Sequence, residues 1–161
     1  MLLNSETPIE ESGDEPAIMF KNSQCPVVIG PNRIQAAKHL MENTDSNVIL
    51  SDDGLQHFSL GRDIEILMID GNRKFGNELL LPAGPLREPK SRIKTVDFTI
   101  SSNRKWPSVA KYEMKYRPFK WVHMKSQKEY DIFDWPLKKE VNAVAGIGNP
   151  SNFFNLLKQL G

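Results

Sequence analysis

The 161-residue sequence contains a single cysteine, Cys25, and no apolar run that approaches the roughly 18–20 residues needed to span a bilayer. One cysteine excludes an internal disulfide framework and favours a reducing compartment. Because it precedes Pro26, Val27 and Val28, we interpret Cys25 as a small core residue. The net charge of +1 gives no indication of a nucleic-acid-binding protein. The first 16 residues contain five acidic residues and no Lys or Arg, so we expect an exposed loop there and no signal peptide.

Short apolar runs alternate with one clear helical pattern in the first two thirds of the chain. The spacing of apolar residues in 32–43 predicts a helix that stops at Asn43. Four apolar runs are predicted to be strands: 25–30, 47–50, 64–70 and 96–101. The first two flank the helix, which favours a parallel β-α-β unit, and the run at 64–70 is expected to be buried on both faces. The predicted fold class is α/β with a mostly parallel sheet.

The character of the sequence changes between residues 101 and 139, where ten Lys or Arg stand against four Asp or Glu. Residues 112–116 alternate like a half-exposed strand, and 119–124 are predicted to pair with them as a two-stranded linker. The excess positive charge has two interpretations. It is either a solvated face or a surface that meets anionic lipid headgroups or a phosphorylated substrate.

The last twenty residues predict a strand, a turn and a helix. The strand is expected at 142–145, and Pro150 and Ser151 then open a helix that carries an apolar face. Four residues form that face: Phe153, Phe154, Leu157 and Leu160. Because such a unit normally needs a next strand to pack on, we expect the chain to be a fragment or a truncated reading frame.

Asp52 and Asp53 end the apolar run in "NVILSDD", which is the layout of a Walker B segment. An Asp at the carboxyl end of a strand can hold Mg²⁺ beside a nucleotide phosphate. Adjacent strand residues point to opposite faces, so the two carboxylates are expected to have different roles. The alternative is that an acidic pair before a glycine forms only a turn or a helix cap.

A second polar segment follows the run at 64–70, which ends in Asp70 and Gly71. The sequence "FGNELLLPAGPLREP" places Asn77, Arg87 and Glu88 among several glycines and prolines. Such a loop is expected to be rigid, which suits a binding site. A structural ion pair between an Arg and a Glu is the alternative for this segment.

The motifs "GDEP" (13–16), "SDDGLQH" (51–57), "RDIEILMIDG" (62–71), "FGN…LLPAGPLREP" (75–89) and "VAGIGNP" (144–150) together resemble the tetraacyldisaccharide 4′-kinase family, the lipid A 4′-kinases of Gram-negative bacteria. The resemblance implies a P-loop NTPase-like α/β fold, a two-stranded linker and a second, smaller α/β lobe. On that scheme residues 1–103 are part of the kinase domain, 104–139 the linker and 140–161 the start of the second lobe. The implied reaction transfers the γ-phosphoryl group of ATP to the 4′-hydroxyl of tetraacyldisaccharide 1-phosphate at the cytoplasmic face of the inner membrane, where the protein makes peripheral contact.

The resemblance also implies roles for individual residues. Asp14 matches the family's catalytic Asp, proposed to act on the attacking hydroxyl, and Asp53 matches the Asp that supports a catalytic His. Asp52 matches the Mg²⁺ ligand, Glu88 matches an acidic residue near the metal, and Arg87 matches its basic, catalytic neighbour. Three residues are expected to contact substrate: Gln56, His57 and Asn77. The implied cofactor is Mg²⁺, ATP and the glycolipid are the implied partners, and no nucleic acid is expected.

The sequence departs from the family pattern in three respects that bear on activity. The 161 residues contain no G-x-x-x-x-G-K-[ST] phosphate loop, and the family's catalytic His and membrane-associated helix have no counterpart among them. We therefore expect an internal fragment with little or no kinase activity alone. The alternative is a non-catalytic product that binds lipid or a partner, and magnesium-dependent nucleotide binding would distinguish the two. A generic sugar- or nucleotide-binding α/β protein explains the strands but not the motif set, and a serine hydrolase lacks its G-x-S-x-G elbow.

Overall fold

A computed structural model describes residues 1–134 and 140–160. The chain divides into two compact units, Met1–Glu65 and Ile66–Gly161. Each unit has its own small core. Leu3 and Leu40 are buried in the first unit, and Ile69 and Ala110 are among those buried in the second. The α/β class predicted from the sequence is confirmed, since helices are combined with a parallel sheet.

The first unit is helical. Its three helices are α1 (Ile9–Ser12), α2 (Asp14–Ser23) and α3 (Arg33–Asn43). The prediction of a helix at 32–43 that stops at Asn43 is confirmed. The Asn32 side chain caps α3 by accepting a hydrogen bond from the Gln35 N–H at 3.1 Å. The prediction of a loop over the first 16 residues is wrong, because α1 and α2 form there. The acidic side chains of this segment are exposed, as expected.

Neither strand predicted in the first unit is formed. Residues 25–30 make only an isolated antiparallel bridge, Leu2 with Val28. Among the described residues, this run makes backbone–backbone hydrogen bonds only to the three residues at the N-terminus, which is too short a partner for a strand. Residues 47–50 have no strand partner at all in that part of the chain, and Leu50 is 90% exposed. An apolar run without a neighbour to pair with cannot satisfy its backbone as a strand. The prediction that Cys25 is a core residue is also wrong, since its side chain is exposed.

The second unit is built on a three-stranded parallel sheet in the order β1 (Ile66–Asp70), β2 (Phe98–Ser102) and β3 (Tyr112–Met114). The strands predicted at 64–70 and 96–101 are confirmed. The expected burial of both faces is wrong. On one face Ile69 is buried and Leu67 half-buried, whereas Ile66 and Met68 on the other are 48% and 46% exposed.

Two buried hydroxyl groups explain why β3 lies beside β2. The Thr99 Oγ1 donates to the Val109 carbonyl at 3.0 Å and accepts the Lys111 N–H at 3.2 Å. The Ser101 Oγ accepts the Trp106 N–H at 3.3 Å. These bonds fix the connecting segment along β2 and bring β3 into parallel register with it.

The predicted pairing of 119–124 with 112–116 is consequently wrong. β4 (Lys120–Val122) pairs antiparallel with β5 (Glu129–Asp131) instead. The Trp121 indole N–H donates to the Ile132 carbonyl at 2.9 Å and fastens this hairpin.

The predicted helix near the end of the chain is confirmed as α4 (Pro150–Leu160), whose apolar residues are half-buried. The predicted strand at 142–145 is absent from the described residues, and Val144 is 90% exposed. Residues 135–139 of the predicted linker lie outside the described part of the chain. The three-part domain scheme therefore stays a prediction.

Candidate functional site

Asp14 is the first residue of α2, and its side chain is exposed. The preceding residue, Gly13, has φ +82° and ψ 160°, a conformation that favours glycine. Its N–H bonds the Ile9 carbonyl of α1 at 2.7 Å, and its carbonyl accepts the Ala17 N–H of α2 at 3.2 Å. Gly13 therefore joins two helices and places the Asp14 carboxylate at a helix N-terminus, where the macrodipole stabilises negative charge.

Asp52 and Asp53 form a tight turn and do not end a strand, so the strand-end placement predicted for them is wrong. The Asp53 N–H donates to Oδ1 of Asp52 at 3.0 Å, and Asp53 has φ +47°. Arg33 reaches this turn from α3 and donates to the Asp52 carbonyl at 3.4 Å. A Cβ at Gly54 would lie 2.9 Å from the Ser51 Oγ, so the turn leaves little space there.

Arg62 holds the backbone that follows this turn. Its guanidinium donates to the carbonyls of Gly54 at 2.8 Å and Leu55 at 3.1 Å. It also pairs with Glu65 at 2.9 Å and lies 5.6 Å from the centre of the Phe58 ring. The side chain is only 24% exposed. One cation thus fixes the segment that carries Asp52, Asp53, Gln56 and His57.

Gln56 and His57 are half-buried in that same segment. The His57 N–H donates to the Gly54 carbonyl at 3.0 Å, and its own carbonyl accepts the Leu60 N–H at 3.0 Å. The four predicted residues of this segment therefore share one short, internally bonded loop. Asp14 belongs to the same unit.

The proline-rich loop, residues 75–89, carries the predicted residues of the second unit. The Asn77 side chain donates to the Ala83 carbonyl at 2.8 Å and accepts the Leu79 N–H at 3.2 Å. Phe75 anchors the start of the loop, with its ring centre 4.9 Å from that of Trp106. Asn77 thus organises the loop through both ends of its amide. This backbone role accounts for its contacts without a substrate, and its predicted contact with substrate stays a prediction.

Replacing Gly84 by alanine is expected to disrupt the proline-rich loop. An added Cβ would overlap Oδ1 of Asn77 and the Leu79 carbonyl, so the backbone would have to move. We expect the free energy of unfolding to fall by about 2 kcal/mol, the usual cost of overpacking. Urea denaturation followed by circular dichroism measures this. The control is Gly61→Ala, since a Cβ at Gly61 has nothing within 4 Å, and equal stability of the two variants would contradict the prediction.

Glu88 forms an ion pair with Arg92, with Nε and Oε2 3.0 Å apart. The two side chains are only 17% and 20% exposed, and Arg92 lies in a 3₁₀ helix, Lys90–Lys94. The partner of Glu88 is therefore Arg92, and the structural pair considered for this segment, Arg87 with Glu88, stays a prediction. Arg87 lies beside Glu88 and is exposed.

Asp70 ends β1 and accepts the N–H groups of Asn72 at 2.8 Å and Arg73 at 3.2 Å. Partial burial by itself would raise the pKa of this carboxyl. The two N–H groups, the Asn103 side chain and the Arg73 charge outweigh burial and lower the pKa below its ordinary value. Asp70 is therefore ionised at neutral pH.

The sequence that contains these loops matches a known protein family over its whole length. The family model described as tetraacyldisaccharide-1-P 4′-kinase matches residues 1–161. The chain belongs to this family.

Several curated tetraacyldisaccharide 4′-kinases are similar to the chain. The Shewanella woodyi protein is 48% identical over 149 residues, which are 92% of this chain and 42% of that protein. A Legionella pneumophila protein (strain Corby) is 48% identical over 151 residues, 92% of this chain and 45% of that protein. A Vibrio cholerae protein (strain O395) is 44% identical over 163 residues, covering 99% and 46% respectively. The chain thus spans less than half the length of these relatives, and no solved structure matches it.

Within this tetraacyldisaccharide 4′-kinase family member, the predicted site residues fall into two groups. Asp14, Asp52, Asp53, Gln56 and His57 lie in the unit Met1–Glu65, and the remaining three lie in the proline-rich loop of the other unit. Those three are Asn77, Arg87 and Glu88. The two predicted metal ligands, Asp52 and Glu88, therefore belong to different units.

The residues of the Asp52–Asp53 turn have chemistry that suits Mg²⁺. Among residues 1–134 and 140–160, no group of three His, Cys, Asp or Glu could hold a metal. Mg²⁺ in kinases usually takes one or two carboxylates and completes its shell with water and phosphate oxygens, so a three-ligand protein cage is not required. An exposed aspartate in a fixed turn fits that pattern.

Sequence reasoning missed Arg62, which holds the backbone of the loop that carries Asp52, Asp53, Gln56 and His57. Its only sequence signal is that a guanidinium follows "SDDGLQH" within five residues.

The described residues contain no helix that is both long and apolar enough to cross a membrane.

Proposed function

We propose that this chain forms part of a lipid A 4′-kinase, which transfers the γ-phosphoryl group of ATP to the 4′-hydroxyl of tetraacyldisaccharide 1-phosphate. The match of the family model to all 161 residues carries this proposal. It is supported by relatives at 41–48% identity that are named tetraacyldisaccharide 4′-kinase. The glycolipid substrate places the enzyme at a membrane surface, which we take to be the cytoplasmic face of the inner membrane.

In the proposed reaction the 4′-oxygen forms a bond to the γ-phosphorus, and the bond from that phosphorus to the β–γ bridging oxygen breaks. ADP leaves, and the hydroxyl proton passes to the Asp14 carboxylate. Asp14 suits this role because its carboxylate is exposed at the start of α2, where it can orient a hydroxyl before accepting its proton. Positioning and charge neutralisation supply most of the catalysis in phosphoryl transfer.

The turn at Asp52 and Asp53 is proposed to hold the metal. Asp52 would bind Mg²⁺, and Glu88 is proposed as a second acidic ligand. When bound, Mg²⁺ neutralises charge on the β- and γ-phosphates. Asp53 is proposed to support the family's catalytic His, which has no counterpart among the 161 residues, and Arg87 to add positive charge against the transferring phosphoryl group.

The remaining predicted residues are proposed to contact the substrates. Gln56 and His57 lie next to the carboxylate turn, so they suit contacts to phosphate or sugar groups. Asn77 shapes the proline-rich loop and would act from there.

A hybrid enzyme tests the proposal. In the Shewanella woodyi kinase, the 149 matched residues are replaced by the corresponding residues of this chain. Transfer of ³²P from ATP to tetraacyldisaccharide 1-phosphate is then measured for three proteins: the hybrid, the unmodified relative and the isolated 161-residue chain. We expect the hybrid to be active. The isolated chain should show little or no transfer, because it carries no phosphate loop to hold ATP.

Two results would contradict these expectations. A folded hybrid that binds ATP but transfers no phosphate would refute the proposed function. Transfer by the isolated chain would refute the expected dependence on a phosphate loop.

A further inference from the structure

A cavity of about 840 Å³ opens at the carboxyl ends of the parallel strands in the second unit. Asp70 of β1, Ser102 of β2 and Met114 of β3 line one side of it, and residues 147–149 with α4 line the other. The two sides are connected directly. Arg73 donates to the Gly148 carbonyl at 3.2 Å, and Asn72 donates to Oδ1 of Asn152 at 3.4 Å. Open α/β sheets bind ligands at this edge.

The charges that line the cavity cancel one another. Among its described lining residues, Asp70 and Glu113 are acidic and Arg73 and Lys115 are basic. Lys115 lies 3.4 Å from a Glu113 carboxylate oxygen, and the charge of Arg73 acts on Asp70. A phosphate would need a net positive lining, so this balance favours an uncharged ligand.

Amides and apolar groups make up most of the remaining lining. Five carboxamide side chains contribute: Asn103, Asn149, Asn152, Asn155 and Gln159. A carboxamide donates and accepts hydrogen bonds at once, which matches a hydroxyl group that does the same. Tyr116 and Phe153 add aromatic surface, against which the C–H face of a sugar ring can pack.

We propose that this cavity binds a sugar ring through its hydroxyl groups. The inference rests on the proposed kinase function, which offers two sources of such a ring. These are the disaccharide of the glycolipid and the ribose of ATP. The ionised Asp70 carboxylate, aimed by backbone N–H groups, would accept from one hydroxyl. The Asn103 side chain already hydrogen-bonds Asp70 and would bond a neighbouring hydroxyl through the remaining atoms of its amide.

The test uses the 161-residue chain and two soluble probes, N,N′-diacetylchitobiose and adenosine. Binding is measured by NMR chemical-shift titration for the natural chain and for Asn103→Gly. Asn103 has φ +64°, so glycine removes the amide without straining the backbone. The matched control is Gln127→Gly, which also removes an amide at a positive φ, in the turn between β4 and β5, where Gln127 is not a lining residue of the cavity.

We expect Asn103→Gly to weaken binding of one probe about fivefold, as for the loss of one hydrogen bond, and Gln127→Gly to leave it unchanged. Asn155→Ala is the second cavity variant. Asn155 lies at an exposed position of α4, where alanine favours the helix. Weaker binding by Asn155→Ala would therefore not result from unfolding.

Weaker binding of the disaccharide assigns the cavity to the glycolipid. If the cavity variants bind adenosine more weakly and the natural chain does not bind 2′,3′-dideoxyadenosine, the cavity is assigned to ribose. The proposal is overturned if the natural chain binds neither probe at millimolar concentration, or if both cavity variants bind as tightly as Gln127→Gly. Phosphoryl transfer by the hybrid is a separate measurement. If the hybrid transfers phosphate but the chain binds neither probe, only the sugar-binding inference is rejected. If the chain binds a probe in the cavity but the hybrid transfers no phosphate, only the kinase function is rejected.

Discussion

Replacing Asp14 by asparagine is expected to lower the kcat of the hybrid kinase by about 10²- to 10⁴-fold, the range typical for loss of a general base. Asparagine keeps the shape of the side chain and the start of α2 but cannot accept the hydroxyl proton. The KM for ATP should change little, because Asp14 is proposed to act on the acceptor. Steady-state kinetics with the glycolipid and ATP varied in turn measures both parameters.

Glu15 provides a closely matched control. It also lies in the first turn of α2 and is exposed, so Glu15→Gln removes the same charge from the same helix end. A general loss of negative charge at the helix N-terminus would lower activity equally in both variants. If Asp14→Asn retains as much activity as Glu15→Gln, then Asp14 does not accept the proton.

Arg62→Ala is expected to have the second largest effect, a loss of about 10²-fold in kcat, because small displacements of reacting groups cost that much. The alanine variant loses both carbonyl bonds that fix the Gly54–Leu55 backbone, together with the Glu65 ion pair. We also expect the free energy of unfolding to fall by about 2 kcal/mol. Steady-state kinetics of the hybrid and urea denaturation of the 161-residue chain measure the two effects.

Two further variants separate positioning from plain stability. Arg62→Lys keeps the charge but loses the planar fork, so it should recover stability more fully than kcat. Arg117→Ala removes an exposed arginine from the other unit and should change neither quantity appreciably. If Arg62→Ala lowers stability but leaves kcat and KM at the level of Arg117→Ala, Arg62 is structural only.

Local sequence signals predicted those elements whose stabilising contacts are themselves local. The helix at 32–43 carries its own cap, since Asn32 bonds a backbone N–H three residues later. β1 and β2 are apolar runs that find each other as parallel partners. The runs at 25–30 and 47–50 look equally apolar, but a strand exists only where another strand pairs with it. That partner is a property of the whole fold, which a local pattern does not encode.

The candidate site shows the same division. The motifs predicted Asp14, Asp52 and Asp53 as site residues, but the strand-end placement of Asp52 and Asp53 was wrong, because residues 47–50 form no strand and Asp53 adopts a left-handed conformation in a turn. The role of Arg62 was not predicted, because it binds backbone carbonyl groups. Every residue has such a group, so no sequence motif indicates the contact. The pairing of Glu88 with Arg92, four residues on, likewise depends on the 3₁₀ turn that brings them together.

The exposure of Cys25 has a practical consequence. It is the chain's one thiol, and it lies two residues beyond the helix that begins at Asp14. A maleimide dye or a nitroxide would therefore attach at a single known position without any engineered cysteine. The label would lie roughly 15 Å along the helix from the carboxylate, given the rise of ten helical residues. Spectroscopy of the native sequence could then report on the surroundings of Asp14 while leaving that residue untouched.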